Sequence, residues 1–161
     1  MRIALASLVA LTAISVSAVA QMPLQLRGLD VESQSAWRAA IPLLQAALEC
    51  RRSLPHVSAL SGVLGVTNSN FNGQYVLAAP LSVFGLETRF IEIFEREDGG
   101  ASYTANFHDA KLSEVARAAG LRMGLNRGQY IRVLNDRTLE ASSAQAGQVQ
   151  LVCNRRGNES P

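Results

Sequence analysis

The spacing of apolar residues changes once along this chain, and that change constrains the fold more than any other feature. Between residues 30 and 53, apolar side chains recur every three or four positions, which is typical of an amphipathic helix. From Gln74 onward they alternate with polar ones, which is typical of strands that bury one face. A helix followed by short alternating segments with tight turns predicts an α+β domain containing an antiparallel sheet.

The first helix is predicted over residues 30–53. Its apolar stripe consists of Trp37, Ile41, Leu44 and Leu48. Its candidate N-caps are Asp30, Ser33 and Ser35. Pro42 lies inside this span, so the helix either bends there or divides into two segments, and we favour a bend. Residues 54–73 are rich in glycine and asparagine, and we expect them to form a long irregular loop.

From residue 74 onward, the sequence predicts strands and one further helix. The expected strands are residues 74–78, 81–84, 89–96, 101–107, 129–134, 138–142 and 148–153. Pro80 separates the first two, and the segment Asp98-Gly99-Gly100 turns the clearest hairpin. Asp109 is the expected cap of a helix that ends before Gly120. We therefore expect two helices packed on an antiparallel sheet of about six or seven short strands.

The N-terminus has the three parts of an export signal. Arg2 precedes an uncharged apolar stretch, and the small residues Ala18 and Ala20 suit signal-peptidase cleavage after residue 20. A permanent anchor would need a longer and more apolar span. We expect a signal peptide at 1–20, a single α+β domain at 21–156 and a flexible tail at 157–161. Lys111 is the only lysine among the 15 basic residues, a bias typical of a GC-rich bacterial genome, so the expected location is the periplasm or beyond it.

The chain has two cysteines, Cys50 and Cys153, which can pair in only one way in an oxidising compartment. Their bridge would close a loop of about 100 residues and join the end of the first helix to the last strand. Neither cysteine belongs to a CxxC motif, so a structural role is favoured over a reactive thiol.

Recognisable catalytic, metal-binding and cofactor signatures are missing from the sequence. His56 and His108 are the only histidines and do not form a ligand pair at helical or strand spacing. His108 precedes Asp109, but chain neighbours seldom point at each other, and no nucleophile elbow accompanies them. The mature charge of +1, after Arg2 is lost from a total of +2, gives no basic surface for nucleic acid. We expect a non-enzymatic protein without a metal or cofactor.

Phe90, Glu92 and Phe94 alternate with Ile91 and Ile93 along the main hairpin. If helices cover the isoleucine face, the two phenylalanines are exposed around one carboxylate, and such clusters often contact a partner. The alternative is that the loop 54–73 covers them. The acidic residues Glu95, Glu97 and Asp98 extend this candidate partner surface to the hairpin tip, although charges there also keep a hairpin soluble.

Arginines cluster after the second predicted helix, at Arg117, Arg122, Arg127 and Arg132. Guanidinium groups suit carboxylates and phosphates, so Arg122, Arg127 and Arg132 are candidate contacts for an anion or an acidic partner. Separate solvated side chains are the simpler interpretation. The glycines among them do not form a phosphate loop, because the GK[ST] ending is missing.

These features predict an exported protein that acts by binding another envelope or secreted protein, without nucleic acid and without stable membrane insertion after signal cleavage. Within that class, the sequence favours an inhibitor or immunity-type protein or an accessory subunit. The competing hypothesis is a small-ligand carrier or an enzyme whose pocket is lined by residues 54–73 and the Arg127/Arg132 region.

Overall fold

A computed structural model describes residues 29–67, 70–144 and 147–157. The predicted signal peptide lies outside the described residues, as does all of the predicted tail except Gly157. The helices and strands of the described residues are α1 (Val31–Leu48), α2 (Ser58–Leu64), β1 (Gly73–Val83), β2 (Leu86–Glu95), β3 (Ala101–Phe107), α3 (Leu112–Ala118), β4 (Arg122–Met123), β5 (Gln129–Leu134), β6 (Arg137–Ser143) and β7 (Val149–Arg155).

Helix α1 forms where its apolar stripe predicted it, but ends five residues earlier. Asp30 is the N-cap, and its carboxylate accepts a hydrogen bond of 2.9 Å from the backbone N–H of Ser33. The helix continues through Pro42 rather than dividing there. After Leu48, Cys50 adopts a left-handed conformation with φ of 61°, which turns the chain toward the sheet.

Helix α2 corrects the prediction of an irregular loop over residues 54–73. Leu60 and Leu64 are spaced four apart and both are buried, while Gly65 ends the helix in the left-handed region with φ of 68°. The seven-residue element is too short for periodicity to stand out against the surrounding glycines and asparagines. Packing of the two leucines in the core, rather than helix propensity, accounts for it.

Strand β1 replaces the two strands that Pro80 was expected to separate. The pairing of β1 with β2 shifts register between Val76 and Leu81, so Pro80 sits in an irregular part of the ladder. β1 is also an edge strand, where proline is tolerated because fewer N–H groups need a partner. The hairpin of β2 and β3 forms as predicted, with Ile91 opposite Ala105, but β2 begins at Leu86, three residues before the predicted start.

Helix α3 begins two residues later than expected, and Asp109 is not its cap. The N-cap is Lys111, whose backbone N–H donates to the Glu114 carboxylate at 3.0 Å. Glu114, three residues after the N-cap, therefore supplies the carboxylate acceptor at the start of the helix that Asp109 was expected to provide. Gly120, with φ of 63°, follows the helix as predicted. The two-residue strand β4 was not predicted, whereas β5, β6 and β7 agree with prediction to within two residues at either end.

In the described part of the chain, the sheet has seven antiparallel strands in the order β1-β2-β3-β7-β6-β5-β4, and three helices pack on one face. The predicted α+β class with one disulfide is confirmed. Cys50 and Cys153 are bonded across a sequence separation of 103, which joins the end of α1 to β7. The Arg132 guanidinium of β5 lies 5.9 Å from the ring centroid of Phe84, in the turn between β1 and β2. Four strand spacings of ~4.8 Å separate β2 from β5, so this contact indicates that the sheet is curved.

Candidate functional site

Strand β2 divides its side chains between the two faces of the sheet. Ile91 and Ile93 are 1% and 2% exposed and belong to the core beneath the helices. Phe90 and Phe94 point the other way and are 40% and 53% exposed, with Glu92 between them. Residues i and i+2 of a strand share a face, so these three side chains form one row along β2.

The face of the sheet that carries this row is called the open face, since the buried residues of the described helices all pack on the other side. The ladder pairings place a line of side chains across it at the level of Glu92. From edge to edge the line contains Gln74, Glu92, Thr104, Val152, Glu140, Ile131 and Arg122. The neighbouring line at the level of Phe90 contains Val76, Phe90, Asn106, Gln150, Ser142 and Gln129.

Residues 54–67 and 70–73 do not cover the two phenylalanines as the alternative interpretation required. Helix α2 packs instead against α1 and β1, with Leu60 and Leu64 in the core. His56 and Asn72 line a shallow groove beside Phe94, but more than half of the Phe94 side chain remains exposed. Both phenylalanines are therefore accessible within the described structure.

A groove of about 440 Å³ crosses the open face next to Phe90 and Glu92. Its polar lining is mostly neutral amides, from Gln74, Asn106, Gln148 and Gln150, together with His108. The carboxylate of Glu92 makes no hydrogen bond or ion pair with another described residue. An apolar ring, neutral amides and one unpaired acid thus lie side by side.

His108 supports Phe90 from the end of β3. The two rings are 4.4 Å apart between centroids and tilted by 54°. His108 Nδ1 lies 3.3 Å from the side-chain nitrogen of Gln148, which fixes the ring from its other side. Since β3 runs antiparallel to β2 and pairs Asn106 with Phe90, His108 lies beyond Phe90, on the side away from Glu92.

The acidic residues of the hairpin do not act as one group. Glu95 shares the isoleucine side of β2, where its carboxylate contacts His56 Nε2 at 3.1 Å and the Tyr103 hydroxyl at 3.2 Å. Asp98 belongs to the turn, where it accepts from the Gly100 N–H at 2.8 Å, and this bond lowers the pKa of Asp98. Glu97 is exposed at the tip. Of the three, Glu97 and Asp98 are solvent-facing, and Glu95 belongs to an internal network.

The internal network around Glu95 was not predicted from the sequence. Tyr103 is 1% exposed; its hydroxyl accepts from the Leu54 N–H at 3.1 Å and donates to Glu95. Burial raises the pKa of Tyr103, and the negative charge of Glu95 adds to the effect. His56 stacks on the buried ring of Phe71 at 5.0 Å. These contacts attach the segment before α2 to the hairpin. Of the residues involved, only Tyr103 had been placed by the alternation of apolar residues in its strand.

The three candidate arginines are not brought together. Arg122 pairs with Ile131 on the open face, so Arg132, the next residue of β5, points to the opposite side. There Arg132 lines a groove of about 430 Å³ with Glu49, Arg51 and Arg137, and none of the described residues between 54 and 73 lines it. Arg127 is exposed in the turn between β4 and β5. The pocket expected for a carrier or an enzyme would need Arg127, Arg132 and residues 54–73 to meet, and in the described part of the chain they do not line a common groove.

Among the described residues, no three side chains of His, Cys, Asp or Glu come together closely enough to hold a metal ion. His108 contacts Phe90 and Gln148 rather than Asp109, so the neighbouring His and Asp do not form a dyad. No described helix has both the length and the hydropathy needed to cross a membrane. Comparison of the chain with family models, curated proteins and solved structures gave no significant match.

Proposed function

We propose that this protein is an exported, non-enzymatic binding protein that contacts another envelope or secreted protein through the open face of its sheet. The contact centres on Phe90, Glu92 and Phe94, with Glu97 and Asp98 at its margin. Within this class we favour an inhibitor or immunity-type protein, or an accessory subunit of an envelope system. Its working location is the periplasm, reached with the signal peptide at 1–20, or the medium beyond.

The observation that carries the proposal is the exposure of two phenylalanines on a sheet face without a described helical cover. Phe90 and Phe94 are 40% and 53% exposed, so together they offer a partner an apolar area close to that of one whole phenylalanine side chain, about 150–250 Å². Aromatic residues are enriched in the centres of protein interfaces, where they exclude water from neighbouring polar contacts.

Export is supported by the disulfide and by the sequence of residues 1–20. A bond between Cys50 and Cys153 persists in oxidising compartments and is rare where thiols are kept reduced. Intact mass measurement of the protein purified from its native host tests this part directly. We expect a chain that starts at Gln21 and is lighter by two hydrogen atoms because Cys50 and Cys153 are oxidised to a disulfide; retention of Met1 with two free thiols would exclude export.

Partner capture tests the surface. Residues 21–161 carrying an affinity tag are incubated with an envelope extract, and captured proteins are identified by mass spectrometry and then purified for direct titration. The double variant Phe90→Ala/Phe94→Asp should lose at least tenfold in affinity, because it removes the apolar area and adds a charge at the contact. Equal affinity of the variant and the parent protein would remove this face from consideration.

The matched control is Val31→Asp, which changes another exposed apolar residue, 83% exposed at the start of α1 on the helical side of the molecule. We expect it to leave the affinity within twofold. Thermal unfolding of all variants confirms that the fold is retained. If Val31→Asp weakens the complex and the double variant does not, the contact lies on the helices instead.

A further inference from the structure

The charged side chains of the open face are unevenly distributed, and the proposed contact does not by itself explain this. From β1 to β6, the two lines through Glu92 and Phe90 contain two carboxylates, Glu92 and Glu140, and no lysine or arginine. The nearest basic side chains lie outside these lines: Arg89 borders Phe90 on one side, and Arg96 and Arg156 border Phe94 on the other. Both acids lie in the same line across the sheet, separated by Thr104 and Val152. The centre of the face is therefore acidic, although the formal charge of the whole chain is +2.

The two acids differ in what they contact. Glu140 accepts a hydrogen bond of 3.0 Å from the Gln129 side chain, so part of its capacity is used. Glu92 makes no hydrogen bond or ion pair within the described structure, although its side chain is only partly exposed. A carboxylate that is partly removed from water and unpaired favours binding of a cation, because the cation replaces the hydrogen bonds with water that the carboxylate has lost.

The surroundings of Glu92 favour an organic cation. Phe90 and Phe94 lie roughly 7 Å to either side along β2, since neighbours on one face are two residues apart. A flat guanidinium bound to Glu92 would lie between the two rings, within the range at which a cation interacts with an aromatic face. The neutral amides of Gln74, Asn106 and Gln150 beside it could pair with the backbone of an extended segment.

We propose that the partner presents a basic segment to this face, with one arginine side chain bound by the Glu92 carboxylate between Phe90 and Phe94. This inference rests on the proposed function, because it names the chemistry of the partner at the same surface. Arginine fits better than lysine, since its planar fork pairs with a carboxylate through two hydrogen bonds and stacks on aromatic rings. A basic rather than a neutral partner is expected because, among the described residues, Glu92 is the only formally charged side chain that lines the groove.

The test uses the pentapeptide acetyl-Ser-Val-Arg-Val-Ser-amide and its citrulline analogue, which has nearly the same shape without the charge. Each is titrated into ¹⁵N-labelled residues 21–161 and followed by amide chemical shifts. We expect the arginine peptide to move the signals of residues 90–94 and their ladder partners, and to bind at least fivefold more tightly than the citrulline peptide. Equal affinity of the two peptides, or shifts confined to other elements, would overturn the inference.

Glu92→Gln is the variant that isolates the charge, because it preserves size and hydrogen-bonding capacity. It should weaken the arginine peptide at least fivefold and leave the citrulline peptide within twofold. The control Glu32→Gln removes the same charge from the first turn of α1, on the helical side, and should change neither titration. A loss of equal size in both variants would reduce the effect to net charge and overturn the inference.

The outcomes separate this inference from the proposed function. If Phe90→Ala/Phe94→Asp abolishes capture of the natural partner while Glu92→Gln does not weaken it, the open face binds a protein but the arginine assignment is wrong. If the arginine peptide binds at Glu92 while the double variant captures the partner normally, the natural contact lies elsewhere. Binding of chitotriose at residues 90–94, with no response to the arginine peptide, would replace the basic partner by a neutral saccharide.

Discussion

The two faces of the sheet are built from the same strands but are used in opposite ways. On the helical side Ile91, Ile93 and Tyr103 are almost completely buried. On the open face Phe90 and Phe94 occupy the intervening positions of the same strand and remain accessible. Large apolar residues therefore occur on both sides, and hydrophobicity alone does not tell which side is the core.

The two faces differ in the residues that surround their large apolar side chains. The helical side is apolar across the central strands, from Ile91 through Ala105 and Leu151 to Ala141. The open face intersperses its apolar residues with carboxylates, amides and hydroxyls. A continuous apolar surface stabilises the fold by burial, whereas an interrupted one is typical of a surface that must also stay soluble.

The largest effect on stability is expected from removal of the disulfide between Cys50 and Cys153, on the helical side. Replacing Cys50 and Cys153 together by alanine should lower the free energy of unfolding by about 4–5 kcal/mol, because the unfolded chain regains the freedom of a loop of about 100 residues. Guanidinium chloride denaturation of residues 21–161 measures the loss. A loss below about 1 kcal/mol would mean that the bridge constrains the unfolded chain little.

Neighbouring positions of β2 provide the most direct comparison of the faces. Ile93→Ala should cost about 2–5 kcal/mol, because it leaves a cavity in the core. Phe94→Ala should cost less than about 1 kcal/mol, although it removes a larger side chain, because half of that side chain is already in water. Urea denaturation of the two variants side by side checks the order. If Phe94→Ala proved the more costly, the open face would be structural.

Tyr103 tests whether the polar network on the helical side stabilises the fold. Tyr103→Phe removes the hydroxyl and leaves the Leu54 N–H without its partner, at a cost of about 1–3 kcal/mol. The control is Tyr75→Phe, whose hydroxyl donates to the Phe71 carbonyl in a less buried place. It should cost less. Amide hydrogen exchange at Leu54 should accelerate in the Tyr103 variant alone.

The smallest effect concerns the N-cap of α1 and depends on pH. The Ser33 N–H lowers the pKa of Asp30 below its ordinary value of 3.8 in the folded state. The folded protein therefore binds fewer protons there than the unfolded chain, so the stabilisation is complete above pH 3.8 and is lost as the pH falls through the lowered pKa. Asp30→Asn retains a capping oxygen without titrating. The stability of the parent protein should fall relative to this variant in acid urea titrations; parallel curves would contradict the assignment.

The division of β2 into two faces could be predicted from sequence, and so could the exposure of Phe90 and Phe94 once helices were placed on the isoleucine side. The unpaired state of Glu92 could not, because it depends on what β1 and β3 present beside it. Glu95 shows the same limit. Its place in a run of acids suggested the surface, but Cβ alternation and the loop carrying His56 make it part of an internal network.

Local spacing determined the class of fold, the main hairpin, the apolar stripe of α1 and the pairing of Cys50 with Cys153, because each depends on a few neighbouring residues or on elimination. Tertiary structure alone decided that residues 58–64 are helical, that Pro80 lies within an edge strand and that Arg122 and Arg132 face opposite sides. Short elements gain their stability from contacts with residues distant in sequence, and no local pattern records those contacts.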